Sequence, residues 1–204
     1  MKSLRICFVG DSLVNGTGDP ACLGWTGRVC AAACAAGHDI TYYNLGIRRA
    51  TSADMHGYWR DEVTRRLPEG IAGRVVFSFG VNDATELDGN LRVPQETTLN
   101  LARAMLTDAQ RTWPVLLIGP TPVLDTAHNQ RIVQLSDGLA ALAAEVGVAY
   151  LPVFEVLSRS GVWLDEVRGN DGAHPRARGY AELARCVQSW PAWREGLVCR
   201  LGLP

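Results

Sequence analysis

Apolar residues fall along this chain in short unbroken runs, separated by longer stretches with helical spacing. Leu4–Val9, Ile40–Asn44, Val75–Phe79, Val115–Ile118 and Ala149–Val153 are rich in β-branched, aromatic and leucine side chains and do not alternate with polar residues. Runs of that length and kind read as strands covered on both faces. Between them helical patterns are predicted over about Gly24–Ala36, Ser52–Arg66, Gln95–Arg111 and Asn129–Val146, and a last one over Pro175–Gln188.

Strands alternating with helices imply a parallel sheet joined by right-handed crossovers. The fold class expected is α/β: a three-layer αβα sandwich, flavodoxin-like, with a five-stranded parallel sheet. No repeat, low-complexity tract or linker interrupts the pattern, so residues 1–204 are expected to form one domain. Sheets of this kind bind ligands beyond the carboxyl ends of their strands. Chemistry is therefore sought where the runs end.

Composition narrows the partners. Hydrophobic residues make up 47% and charged residues 20% of the chain, as in ordinary globular proteins. A formal net charge of −1 without a basic block argues against nucleic acid or an anionic membrane. Lys2 and Arg5 flank only a short apolar run, so no signal peptide or membrane span is expected and the location expected is cytoplasmic. Cys7, Cys22, Cys30, Cys34, Cys186 and Cys199 form no regular framework and read as free thiols, not disulfides or metal ligands.

Four strand-like runs or loops end in residues that carry chemistry. Gly10-Asp11-Ser12-Leu13 follows the first run and puts a hydroxyl on a tight turn. Asn44-Leu45-Gly46 closes the second run and Gly80-Val81-Asn82-Asp83 the third. Near the other end stands Asp171-Gly172-Ala173-His174-Pro175. Acyl transfer by a serine needs a hydroxyl, a base and a group that orients the base. A glycine N–H, an asparagine amide and the serine N–H are the donors a tetrahedral oxyanion requires. Each residue also has a plain structural reading: Ser12 as a helix cap, His174 before a helix whose first turn suits Pro175, Asn82 and Gly46 as turn residues.

The four blocks, in this order, resemble those of the SGNH (GDSL) hydrolase superfamily over about residues 5–190. The resemblance implies Ser12 as nucleophile, His174 as base and Asp171 as its orienting carboxylate. It implies an oxyanion hole from Ser12, Gly46 and Asn82, and no cofactor or metal. It also supports the flavodoxin-like architecture. The stretch Ile47-Arg48-Arg49-Ala50-Thr51 departs from the commoner pattern, which often has small residues where the arginines stand. Small proteins of this design include acetyl esterases, arylesterases, thioesterases and lysophospholipases. No long insertion is present to build an acyl tunnel, so short acyl or acetyl esters are expected.

Further residues are candidates for contact with a small-molecule ester: Trp25 at the mouth of the site or else in the core, Arg48 and Arg49 on an anionic part of a substrate or else solvated, and Thr121 in the pocket wall after the fourth run. Residues 125–130 are considered as a lid. Two other classes compete. Asp11, Asp83, Asp171 and His174 could bind a divalent cation in a phosphoesterase. A flavodoxin-like binding module is the other, although Asp11 disfavours a phosphate at the first turn. The absence of Gly-x-Ser-x-Gly sets aside the α/β-hydrolase elbow.

Overall fold

The computed structural model describes residues 3–197; Cys199 lies outside them. Five parallel strands, β1 (Leu4–Gly10), β2 (Ile40–Gly46), β3 (Gly73–Ser78), β6 (Val115–Ile118) and β7 (Ala149–Leu151), form a sheet in the order β2-β1-β3-β6-β7. A two-stranded antiparallel hairpin, β4 (Glu86–Leu87) and β5 (Asn90–Leu91), stands between β3 and the next helix. The helices are α1 (Ser12–Asn15), α2 (Gly24–Ala35), α3 (Ser52–Arg66), α4 (Gln95–Gln110), α5 (Thr126–Val146), α6 (Phe154–Ser158), α7 (Gly161–Arg168), α8 (Ala177–Ser189) and α9 (Pro191–Leu197). Helices cover both sides of the sheet: α2 packs on α8, and α3, α4 and α5 pack in sequence. The architecture is the three-layer sandwich expected, with the strand order of flavodoxin-like sheets.

The apolar runs become strands because both faces of the sheet are covered. Ile6, Cys7, Phe8 and Val9 of β1 have no exposed surface, nor have Val75, Val76 and Phe77 of β3. Phe8 meets Trp25 edge-on at 5.4 Å on one side, and Trp59 meets Phe77 at 5.5 Å. Local signals set the helix starts. Thr51 and Asp54 form a reciprocal capping box on α3, and Asp125 caps α5 through the His128 N–H. α2 has no cap of its own; Asp19 accepts from its Gly24 N–H at 2.9 Å and pairs with Arg28.

The strand order reverses at β1, whose neighbours are β2 and β3. Ser12, the β2–α3 loop and Asn82 all follow the carboxyl ends of these three strands. That switch point is where the candidate chemistry gathers. No helix among the described residues is long and apolar enough to cross a membrane.

Candidate active site

Ser12 opens α1, directly after β1. Asp11 caps the turn, its Oδ1 accepting from the Leu13 N–H at 2.9 Å. The Ser12 Oγ lies 2.7 Å from His174 Nε2, and His174 Nδ1 lies 2.7 Å from Asp171 Oδ2. A carboxylate only accepts, so Nδ1 carries the proton and Nε2 is left as acceptor for the serine O–H. The tautomer is the one a general base needs. Burial would raise the Asp171 carboxyl, but hydrogen bonds from the His174 backbone, its ring and the Ala173 N–H outweigh it and hold Asp171 below the ordinary carboxylate range.

The histidine loop is held from four directions. Asp171 Oδ1 accepts from the N–H groups of Ala173 (3.1 Å) and His174 (2.9 Å), folding the loop on itself. Asn170 Nδ2 donates to the His174 carbonyl at 3.0 Å. Glu166, on α7, accepts from the Arg176 and Gly179 N–H groups at 2.9 and 2.7 Å and so supplies the missing cap of α8. Gly18, at φ +93°, packs so closely that a Cβ there would lie 2.7 Å from the Pro175 carbonyl and 3.4 Å from His174 Cβ. None of Glu166, Asn170 and Gly18 stands out in the sequence, because each acts on a segment distant from it or in a loop without periodicity.

Asn82 sits beside this pair. Its Nδ2 donates to the Ala50 carbonyl at 3.0 Å and to Asp11 Oδ2 at 3.3 Å. Burial pushes the Asp11 carboxyl up to about 7, so this group carries little negative charge next to Asn82 below neutral pH. The Asn82 loop is braced by His128, whose Nε2 bonds the Val81 carbonyl at 2.8 Å.

Gly46 requires a correction. Its N–H donates to Asn44 Oδ1 at 3.0 Å, within its own strand end, and is not available to an oxyanion. The glycine is needed for another reason: a Cβ there would lie 2.3 Å from Asn15 N and 2.6 Å from the Asp11 carbonyl. It lets β2 close on the nucleophile turn. The next residues make a turn, with Ile47 N bonded to the Gly10 carbonyl at 3.0 Å and Ala50 N to the Ile47 carbonyl at 3.1 Å. Arg49 holds the third position at φ +70°, as a type II turn demands. Arg92 Nη2 secures the Arg49 carbonyl at 2.8 Å.

Other expectations also change. Trp25 has no exposed surface and belongs to the core, where the β1 strand needs a large apolar neighbour, so it does not reach a substrate. Thr121 is 2% exposed, and its hydroxyl has no partner among the described residues, so it lies behind the wall and not on it. Arg48 is exposed, in the turn that follows β2. Residues 125–130 are no lid: they are the capped start of α5, tied down by Leu124 N to the Gly172 carbonyl at 2.8 Å and by His128. The cation cluster is not assembled. Asp83 accepts from the Ser52 N–H and hydroxyl and from Thr98 Oγ1 at 3.0 Å. Among the described residues no group of three or more His, Cys, Asp or Glu is placed to hold a metal.

The model of the GDSL-like lipase/acylhydrolase family matches residues 8–182, a span that contains Ser12, Asn82, Asp171 and His174. No curated protein matches the chain in sequence. Solved structures match it in fold. A lipase/acylhydrolase from Enterococcus faecalis is 24% identical, with TM-score 0.75, over 92% of this chain and 94% of its own. The acetylxylan esterase Axe2 from Geobacillus stearothermophilus is 19% identical, with TM-score 0.74, over 95% of this chain and 94% of its own. LAE5, an alpha/beta hydrolase enzyme from the metagenome of Lake Arreo, Spain, is 17% identical, with TM-score 0.75, over 96% and 95%. With its fold, its four blocks and a family match over most of its length, this chain belongs to the GDSL-like lipase/acylhydrolase family of ester hydrolases.

Proposed function

We propose that the protein is a serine esterase acting on short-chain acyl or acetyl esters through an acyl-serine intermediate. The observation that carries this reading is the relay from Asp171 through His174 to Ser12, with both links at 2.7 Å. In it, Ser12 Oγ attacks the ester carbonyl while His174 Nε2 takes its proton, and Asp171 stabilises the imidazolium that forms. The tetrahedral oxyanion is held by the Ser12 N–H and by Asn82 Nδ2, which gives up its long contact with Asp11. The Arg49 N–H replaces Gly46 as the further donor; nothing among the described residues accepts from it, and it sits in the turn that Asn82 braces through Ala50.

His174 then returns its proton to the departing alcohol, leaving the acyl group on Ser12. Water, deprotonated by the same imidazole, attacks that ester and frees the serine. No step calls for a cofactor. Short acyl groups are supported by the near-complete mutual coverage with Axe2, itself an acetylxylan esterase, which leaves no long insertion to build a tunnel.

The test is hydrolysis of a chromogenic acetyl ester, and of a series of rising acyl length, by the wild type and by Ser12→Ala, each with and without chelator. Turnover that favours the short esters, disappears in Ser12→Ala and ignores the chelator is expected. Activity that survives Ser12→Ala, or that chelator removes, refutes the serine mechanism.

A further inference from the structure

The turn Ile47–Ala50 joins the nucleophile to Asn82: Ile47 N bonds the Gly10 carbonyl at one end, and Ala50 accepts from Asn82 Nδ2 at the other. Its two central residues are arginines, both exposed. Neither Arg48 nor Arg49 has an ion-pair partner among the described residues, whereas Arg60 and Arg66 on α3, Arg103 on α4 and Arg168 on α7 are paired with carboxylates. A third guanidinium, that of Arg92, is fixed on the Arg49 carbonyl at 2.8 Å.

Arg49 is also in a conformation that costs it something. Its φ of +70° lies where glycine is free of strain and other L-residues are not. The turn would form more easily with glycine at this position, so the side chain is present in spite of the backbone. The nearby carboxylates are otherwise engaged. Asp54, which feels the charge of Arg92, is bonded to the Thr51 N–H and hydroxyl at 2.8 Å each. Asp171 is bonded to His174, and Asp11 is buried. On a chain with formal net charge −1, positive charge without a counter-ion is thus concentrated on the turn that links the end of β1 to Asn82.

We propose that Arg48 and Arg49 form an anion-binding subsite, and that the substrate is an ester carrying a carboxylate or another anionic group close to the scissile bond. This rests on the serine esterase reading and narrows its substrate class. Arg92 is a positioning residue in it, holding the turn that presents the two side chains.

The experiment compares matched esters that differ in charge, with the wild type and an Arg48→Ala/Arg49→Gly variant. An anion on the acyl side is probed by para-nitrophenyl hemisuccinate against para-nitrophenyl butyrate, and one on the alcohol side by para-acetoxybenzoate against phenyl acetate. The wild type is expected to favour the anionic member of at least one pair by about tenfold in kcat/KM, as two charge-assisted contacts warrant. Added salt is expected to erode that preference, and the variant to lose it. Arg49→Gly relieves the turn, so a thermal melt at or above that of the wild type accompanies the loss and excludes misfolding as its cause. Turnover of the neutral esters without preference for either anion overturns the subsite and leaves the esterase standing. A preference that persists in the variant also overturns it. Failure to hydrolyse any of the four esters fails the serine reading, and the subsite with it.

Discussion

His174 Nε2 lies 2.7 Å from Ser12 Oγ, although 162 positions separate the two residues in the chain. The contact exists because β1 ends at the switch in strand order, where Ser12 opens α1, while the loop between α7 and α8 folds back over the same edge. Asp171 fixes both the backbone and the ring of His174. Its loss is therefore predicted to affect turnover more than substrate binding.

Asp171→Asn keeps the shape of the loop but offers the imidazole an amide. The tautomer with Nε2 as acceptor is no longer favoured, and the imidazolium is no longer stabilised. A fall in kcat of about 10²–10⁴ with little change in KM is expected. Steady-state kinetics at saturating ester reads this directly. A loss confined to KM would contradict the orienting role.

Asn82→Ala removes one proposed oxyanion donor and the brace on Ala50. It is expected to lower kcat by about 10²–10³. A thermal melt should show the fold retained, since Asn82 is only half-buried. Unchanged kcat would remove Asn82 from the mechanism.

Gly46→Ala is expected to act on folding. The new methyl group would lie within 2.6 Å of two backbone atoms of the nucleophile turn, neither of which can move aside as a side chain can. A drop in the denaturation midpoint of about 1–3 kcal/mol equivalent, accompanied by lost activity, is predicted. A variant as stable and as active as the wild type would contradict the close approach of β2 to the nucleophile turn.

Much of this site was legible before the fold was known. The strand runs end within two residues of where β1, β2, β3, β6 and β7 end, because runs of β-branched, aromatic and leucine residues mark a strand whether it is buried like β1 and β3 or half-buried like β2. α3 begins at Ser52 as expected, because Thr51 and Asp54 announce it. The hairpin at residues 86–91 and the short helices α1, α6, α7 and α9 were not legible, being too brief to show a period. Trp25 was ambiguous, since a tryptophan after a strand suits core and rim alike. Gly46 was misassigned for a physical reason: a glycine at a strand end exposes its N–H or admits a close neighbour, and only the fold shows that Asn15 occupies the space.

Asp11 makes stability depend on pH. Burial pushes its folded-state value up to about 7, from an ordinary 3.8. Between those values the native protein keeps a proton that the unfolded chain has released, so stability falls as pH rises through the window. Asp11→Asn lacks this titration. Its urea-derived stability relative to the wild type is expected to improve from pH 4 to pH 7 by up to about 4 kcal/mol. Parallel stability curves for the two proteins would show that Asp11 ionises normally in the fold.

If Ser12 is a nucleophile activated by His174, it reacts with an electrophile that mimics an ester. The most direct measurement is labelling with a fluorophosphonate, followed by mass spectrometry of the peptides. One adduct per chain is expected, on the peptide holding Ser12, absent from Ser12→Ala and formed much more slowly in His174→Ala. An active enzyme that takes up no label, or carries it on another residue, would contradict it.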